Sequence, residues 1–405
     1  MSTLRRELGL PEAVVYGVGL ILGAGIYAVL GAAAGLTGGS VVLSFLLAAV
    51  VASLTGLSYA ELSSVFPRAE GDYIYVREAF GRELVSDATA LGRLGVGVVS
   101  SAAVALAFAG YLSAFVDVPA VPVAALLVAA TVVINAWGIE LSTRLNVAFT
   151  TIEVAGLVIV VVLGAGAWGS VDPLQAPNGL GGVVEASFLI FFAYLGFGSI
   201  VTLSEETRDP GRTVPRAVLL SIVITTVLYV LVGLSAVALV DWRTLGQSAS
   251  PLAAVAGAGW GPTGAALLAG IALFATTNTV LLLQVSTSRL LYGVSKSEYH
   301  VFPVVLSRVH PTRQTPHYAA AAVGAATLPF LLLGDVGAVA GLANLVLLVV
   351  FVLVNAAMLW LRFTRPDAER GFRAPLNAGR LSLTALAGLV CSVAFGVFYV
   401  TTTLG

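Results

Sequence analysis

The sequence is poor in charge. Asp, Glu, Lys and Arg make up 10% of the 405 residues, while apolar residues make up 58%. A soluble globular chain carries about a quarter charged residues. Long apolar segments with so few charges exclude that class and indicate an integral membrane protein. The net charge of −1 gives no electrostatic reason to expect a nucleic-acid partner.

Cysteine and histidine are scarce as well. The single cysteine, Cys391, excludes an internal disulfide and a cysteine-based metal site. The three histidines fall within residues 300–317, too dispersed to indicate metal binding. The chain also lacks a GxxxxGK phosphate-binding loop, so we expect no cofactor, no metal and no drive by ATP. A cleaved signal peptide is not expected, because the first apolar run is too long and lacks a convincing cleavage site.

The chain instead has apolar runs of about 20 residues, the length that spans a hydrocarbon core of about 30 Å. These runs predict an all-α integral membrane protein, with one polytopic transmembrane domain over residues 1–405. The eleven predicted spans are residues 13–34, 41–63, 88–115, 119–137, 146–166, 183–203, 215–239, 262–293, 317–334, 337–362 and 382–402.

The basic residues predict how the spans cross the membrane. With the amino terminus in the cytoplasm, nineteen of the twenty Lys and Arg residues fall on the cytoplasmic side, and only Arg243 falls outside. Such asymmetry is the positive-inside signal of multi-pass proteins. We therefore expect a lipid-embedded protein of the cell membrane. Its amino terminus is predicted to be cytoplasmic and, after an odd number of spans, its carboxyl terminus extracellular.

The first span contains five glycines in GVGLILGAGIYAVLG (residues 17–31). Glycine weakens a helix interior by about 1 kcal/mol relative to alanine. One interpretation is an opening in the helix at Gly23-Ala24-Gly25, where freed amides attract anions and freed carbonyls attract cations. The other is close helix packing through the GxxxG pattern of Gly19 and Gly23. A dinucleotide-binding loop is a poorer third interpretation, because no strand–helix–strand context surrounds these glycines.

The sixth span repeats this feature five spans later. Its sequence FFAYLGFGS (residues 191–199) places Gly196 and Gly198 among aromatic residues. Glycine-interrupted segments at matching positions of two halves are typical of a transporter binding site. Because five spans reverse the orientation in the membrane, a second five-span unit would be inverted relative to the first.

Several segments resemble, in order and on the matching spans, the amino acid–polyamine–organocation (APC) superfamily. The resemblance covers most of the chain and is nearest the prokaryotic amino acid permeases and the cationic amino acid transporter branch. The segments are GAGIY (23–27), LSYAELSSVFPRAEGDYIYVREAFG (57–81), NAWG followed by STRLN (135–146), FFAYLGFGSIVTLSEETRDPGRTVPRAV (191–218) and SRLLYGVSKSEYHVFPVVLSRVHPTRQTPH (288–317).

The resemblance implies two inverted five-helix repeats, about residues 13–166 and 183–362, with helices 1 and 6 unwound and one extra helix at about 382–402. It implies secondary transport of amino acids by alternating access, as symport or exchange. The substrate carboxylate would meet backbone amides of helix 1, and its ammonium would meet carbonyls of helices 1 and 6. The implied substrate-binding residues are Ile21, Gly23, Ala24, Gly25, Phe192, Ala193, Leu195 and Gly196.

Two positions depart from the family pattern. Glu70-Gly71 stands where relatives carry Gly-Gly, in a loop away from the expected site. Glu153 stands where some proton-coupled relatives carry a lysine. An ionisable residue within a span costs about 2.5–3.5 kcal/mol on insertion scales and is a functional candidate by default. Glu153 is therefore the candidate for proton coupling. The alternative is a neutral or hydrogen-bonded glutamate that holds neighbouring helices together.

Other functions stay open at the level of sequence. A polyamine or organic-amine transporter would use the same fold. A membrane enzyme is disfavoured, because it would need a nucleophile, an acid–base pair or a metal cluster at membrane depth. A sensor or channel of the same fold is a further alternative. A measurement of substrate flux separates them, because flux that saturates at low substrate concentration would exclude a channel. These residues do not determine which side chain the substrate carries or whether protons are co-transported. They do not determine the oligomeric state either.

Overall fold

A computed structural model describes residues 8–68, 71–137, 139–205, 207–295, 302–313 and 315–404. Helices form most of the described chain. A short antiparallel β-hairpin with two residues in each strand (β1, Asn377–Ala378; β2, Leu381–Ser382) precedes the last α-helix. The α-helices are α1 Leu10–Leu22, α2 Gly25–Thr37, α3 Val41–Val65, α4 Asp72–Phe80, α5 Glu83–Leu112, α6 Ala120–Trp137, α7 Ile139–Gly164, α8 Gly179–Phe191, α9 Pro210–Leu239, α10 Trp242–Gln247, α11 Pro251–Ser295, α12 His317–Leu331, α13 Val336–Thr364 and α14 Leu383–Tyr399.

The predicted all-α membrane fold is confirmed. Within the described ranges, nine helical segments are long and apolar enough to cross a membrane, and Leu10–Leu22 and His317–Leu331 are shorter apolar helices. Each of the eleven predicted spans coincides with one or more of these helical segments. The sequence did not predict the start of α11 at Pro251. This helix is interrupted at Gly261, whose φ of +71° only glycine adopts without strain.

Two spans are interrupted near their middles. In the first span, α1 ends at Leu22 and α2 begins at Gly25, so the helix opens at Gly23 and Ala24. In the sixth span, α8 ends at Phe191 and the chain continues as a 3-10 helix over Phe192–Glu205. Runs of 3-10 helix beyond three or four residues are uncommon, and within a longer helix they often mark functional positions. The sixth span thus changes its winding rather than opening fully.

Two apolar clusters organise most of the described interior, and a third, small one joins α5, α11 and α12. The larger, which we call the main core, joins α1, α2, α3, α8, α9 and α13 and includes Tyr27, Tyr59 and Tyr229. The smaller, which we call the second cluster, joins α5 and α6 to parts of α2, α11 and α13, and it includes Ala24 and Phe192. Since Ala24 lies at the opening in the first span, this opening sits where the two clusters meet.

Buried ion pairs join helix ends at the edge of the main core. The carboxylate of Glu61, near the end of α3, accepts hydrogen bonds from Arg362 Nε at 2.9 Å, Arg370 Nε at 3.0 Å and the Ala374 amide at 2.7 Å. Arg93 Nε lies 2.8 Å from Asp72 Oδ2, which joins α5 to α4. A buried carboxylate needs such partners because its desolvation is otherwise uncompensated.

Candidate functional site

The two interrupted spans touch each other through their backbones. A Cβ on Gly25 would lie 2.7 Å from the Ala193 Cα, and a Cβ on Gly196 would collide with the carbonyl of Leu20. Only glycine permits backbones to approach so closely. The other glycines of the first span have a different role, because a Cβ on Gly19 would press on Thr150 of α7 at 3.0 Å. The helix therefore opens at Gly23 and Ala24, while Gly19 permits close packing against α7.

Tyr229 of α9 connects the two interruptions. Its buried hydroxyl lies 2.7 Å from the Ile21 carbonyl oxygen, 3.1 Å from that of Leu22 and 3.1 Å from that of Ala193. The last carbonyls of an α-helix have no partner within the helix. A hydroxyl has one hydrogen to donate, so it satisfies one of the three oxygens at a time. The site therefore has more acceptors than this donor can serve.

The amides on the other side of the opening are donors. Ala24 N–H donates to Thr279 Oγ1 of α11 at 2.8 Å. The first bond within α2 runs from Ala28 N–H to the Ala24 carbonyl, so the amides of Gly25 and Ile26 have no acceptor within the helix. Gly23 is half-buried and faces Thr279, whose Oγ1 would lie 3.1 Å from a Cβ at that position. Donors and acceptors thus lie side by side at one opening.

Two further tyrosines hold α2 in place. The Tyr111 hydroxyl of α5 donates to the Tyr27 carbonyl at 3.0 Å, and the Tyr27 hydroxyl donates to the backbone carbonyl of Glu153 at 3.0 Å. The Leu252 amide donates to the Tyr111 oxygen at 3.4 Å. These bonds link α5, α2, α7 and α11 across the interior, so the position of α2 is set from several sides.

Glu153 lies beside this tyrosine network. Its side chain is fully buried, and neither carboxyl oxygen has a hydrogen-bond partner among the described residues. Its backbone carbonyl accepts the Tyr27 hydroxyl, and Tyr27 and Tyr229 both belong to the main core. A glutamate that joins helices through its side chain would show a donor at its oxygens. The described part of the chain contains none, which disfavours a hydrogen-bonded link between helices but does not bear on a permanently neutral glutamate.

The structure brings most of the expected site residues together. Ile21, Ala193 and Ala24 engage Tyr229 or Thr279 through backbone atoms, and Gly25 and Gly196 form the contacts between the two spans. The remaining expected residues lie around these contacts. Gly23 forms the opening, Phe192 belongs to the second cluster, and Leu195 packs against both clusters.

Sequence reasoning missed the side chains that serve the opening. Tyr229 and Thr279 lie on α9 and α11, more than 200 residues from the groups of the first span that they bind. The available signal was the presence of several hydroxyl-bearing residues within each of these apolar spans. That signal is weak, because most such hydroxyls bond back to their own helix, as Thr276 does to the Ala272 carbonyl.

Comparison with known proteins supplies the family. The sequence matches the amino acid permease family over residues 8–403. The chain belongs to this family of the APC superfamily. An uncharacterized transporter of Mycobacterium tuberculosis (strain H37Rv) is 33% identical over 88% of this chain and 81% of its own length. The branched-chain amino acid permease BcaP of Bacillus subtilis is 27% identical, with coverages of 96% and 87%.

The match to a human relative covers a smaller share of that relative's length. The human cationic amino acid transporter 4 is 29% identical to this chain over 90% of the chain and 61% of the relative. The family and these relatives are permeases and transporters rather than enzymes. The permease contains an open backbone segment of the kind expected for small-molecule transport.

The backbone contacts predict which glycines are indispensable. We expect Gly25→Ala and Gly196→Ala to lower uptake of a radiolabelled amino acid mixture by about tenfold or more, because each Cβ would push the two spans apart. Gly198→Ala is the matched control, since its Cβ would meet the Tyr59 ring at an ordinary 3.5 Å. Proteoliposome uptake measures the effect. Equal uptake by Gly196→Ala and Gly198→Ala would contradict the close backbone contact.

The carbonyl contacts of Tyr229 predict a stability effect. Tyr229→Phe leaves the carbonyls of Ile21, Leu22 and Ala193 without this donor, so the free energy of unfolding should fall by about 1–3 kcal/mol. Thermal unfolding of the ligand-free protein in detergent measures it. Tyr194→Phe is the control, because its hydroxyl donates only to Thr226 Oγ1 at 3.2 Å. An unchanged Tm for Tyr229→Phe would contradict the proposed role of the hydroxyl.

Proposed function

We propose that this permease is a secondary active transporter that moves amino acids across the cell membrane by alternating access. One observation carries the proposal: the carbonyl oxygens of Ile21, Leu22 and Ala193 converge on a single hydroxyl, beside the donor amides of α2. An ammonium has three N–H donors and suits such a set of acceptors. A carboxylate suits helix N-terminal amides. An amino acid carries both groups on one carbon.

In the proposed complex, the α-carboxylate lies at the amides of Ala24 and Gly25, next to Gly23. It takes the place that Thr279 Oγ1 now holds at the Ala24 amide. The α-ammonium lies at the carbonyls of Ile21 and of the sixth span. The residues of the sixth span in the proposed site are Phe192, Ala193, Leu195 and Gly196.

The proposal extends to the whole chain. We propose two inverted five-helix repeats, about residues 13–166 and 183–362, followed by the extra helix at about 382–402. The interruptions at Gly23 and Phe192 support this division, because they occur five spans apart. A cytoplasmic amino terminus and an extracellular carboxyl terminus are proposed from the distribution of basic residues.

Glu153 is the proposed coupling residue. Its carboxyl is fully buried without a hydrogen-bond partner among the described residues, and its backbone carbonyl accepts the hydroxyl of Tyr27, which belongs to the main core together with Tyr229. A charge at this position would change the field at the Tyr229 hydroxyl, which contacts the three carbonyls. Proton symport and amino acid exchange are both compatible with this placement, and a proton gradient distinguishes them.

A second candidate is a transporter of polyamines or other organic amines. The three convergent carbonyls favour it as much as they favour an amino acid, because they would bind any primary ammonium. The donor amides of α2 favour the amino acid, since an amine without a carboxylate leaves them unused. The two candidates therefore differ in whether a carboxylate is required.

A thermal-shift screen tests the proposal. We expect the Tm of the purified protein to rise with at least one standard amino acid, by the equivalent of roughly 2.7 kcal/mol at 100 times Kd. The decarboxylated amine of the same residue is the matched control and should give no shift. A shift with amines alone would favour the second candidate. If no amino acid raises the Tm, the proposal of amino acid transport is contradicted.

The proposed role of the buried Glu153 carboxyl predicts that its replacement uncouples uptake from the proton gradient. We expect Glu153→Gln to abolish the stimulation of amino acid uptake by an inward proton gradient, because an amide takes up no proton at neutral pH. Counterflow exchange at equal pH should persist. Glu185→Gln, a half-buried carboxyl of α8, is the control and should keep the stimulation. Proteoliposomes with an imposed pH gradient measure both variants. Undiminished stimulation in Glu153→Gln would restrict Glu153 to a structural role.

A further inference from the structure

The first turns of α2 face two different environments. Tyr27 and Leu30 pack into the main core. Ala24 and Val29 belong to the second cluster, together with Phe192. Since the proposed carboxylate and ammonium positions lie at the opening itself, the rest of a bound amino acid must extend toward one environment or the other.

The second cluster is apolar and mostly aliphatic, with Phe192 as its aromatic member. Besides Ala24, Val29 and Phe192, its members come from α5, α6, α11, α12 and α13. Leu283 is half-buried, packs against this cluster and lies one turn after Thr279 on α11. Residues four apart share a helix face, so Leu283 lies beside the hydroxyl that binds the Ala24 amide. Members of the second cluster on α5, α11 and α13 include Val99, Ala103, Val280, Ala340 and Ala343.

The buried charges lie elsewhere. Among the side chains that the structure describes, four of the acidic and basic ones are buried, namely Glu61, Asp72, Glu153 and Arg362. Glu61 is paired with Arg362, and Asp72 is paired with Arg93. Glu153 lies on the main-core side of α2, where its backbone carbonyl accepts the bond from Tyr27. These four groups leave no carboxylate in the second cluster.

We infer that the substrate side chain lies in the second cluster and that the permease selects amino acids with uncharged, apolar side chains over lysine and arginine. The inference rests on the proposed function and adds the substrate class. An apolar side chain gains by leaving water for this cluster. A cationic side chain would lose its hydration there without a carboxylate to compensate.

Ligand binding to the wild-type protein is the first test. The purified permease is titrated with leucine, valine, lysine and arginine, and the apparent Kd is measured from the thermal shift. We expect leucine or valine to bind about tenfold or more tightly than lysine and arginine. Equal or tighter binding of lysine or arginine would overturn the inference and leave amino acid transport intact. Binding of no amino acid would overturn the proposed function itself.

A pair of variants places the side chain. Leu283→Asp adds a carboxylate to the second cluster, and Leu283→Asn adds a polar group of similar size without charge. We expect both to weaken leucine binding and only Leu283→Asp to improve arginine binding, by about tenfold. A folded Leu283→Asp that binds leucine and arginine like the wild type would overturn the placement. If this variant does not fold, weaker leucine binding by Leu283→Asn supports the placement, and unchanged binding overturns it.

Discussion

A polar backbone group inside a membrane must find its partner within the protein, and this constraint organises the permease. The opening at Gly23 and Ala24 removes the helical partners of the carbonyls that precede it and of the amides that follow it. Tyr229 serves the carbonyls and Thr279 serves the Ala24 amide. The helices that carry these side chains, α9 and α11, are thereby fixed against the first span, and the other helices pack around this arrangement.

Glycine makes the same arrangement compact. At Gly25 and Gly196, the two interrupted spans approach until one backbone touches the other. A side chain between them would move the Ala193 carbonyl away from Tyr229, whose hydroxyl reaches both spans only because they are in contact. The weak helix propensity of glycine and its lack of a side chain therefore serve one purpose here, which is to bring unpaired backbone groups together.

The sequence predicts the spans and the first interruption because both follow from local patterns. Apolar runs of sufficient length predict the spans, and GAGIY predicts the opening that begins at Gly23. The 3-10 winding from Phe192 onward was not predictable, since its residues are compatible with an α-helix and contacts with the rest of the fold decide its winding. Tyr229 could not be assigned either, because its acceptor at Ile21 is 208 residues away in the chain.

The placement of Glu153 relative to the opening separates recognition from coupling in the proposed cycle. Glu153 lies on the tyrosine side of α2, while Ala24 belongs to the aliphatic second cluster. In the proposed cycle, a change in the charge of Glu153 would act on the Tyr229 hydroxyl, which has a single hydrogen and faces three carbonyls. A substrate ammonium would compete for those same carbonyls. Proton and substrate would therefore influence each other through one hydroxyl, without a direct contact between the carboxyl and the substrate side chain.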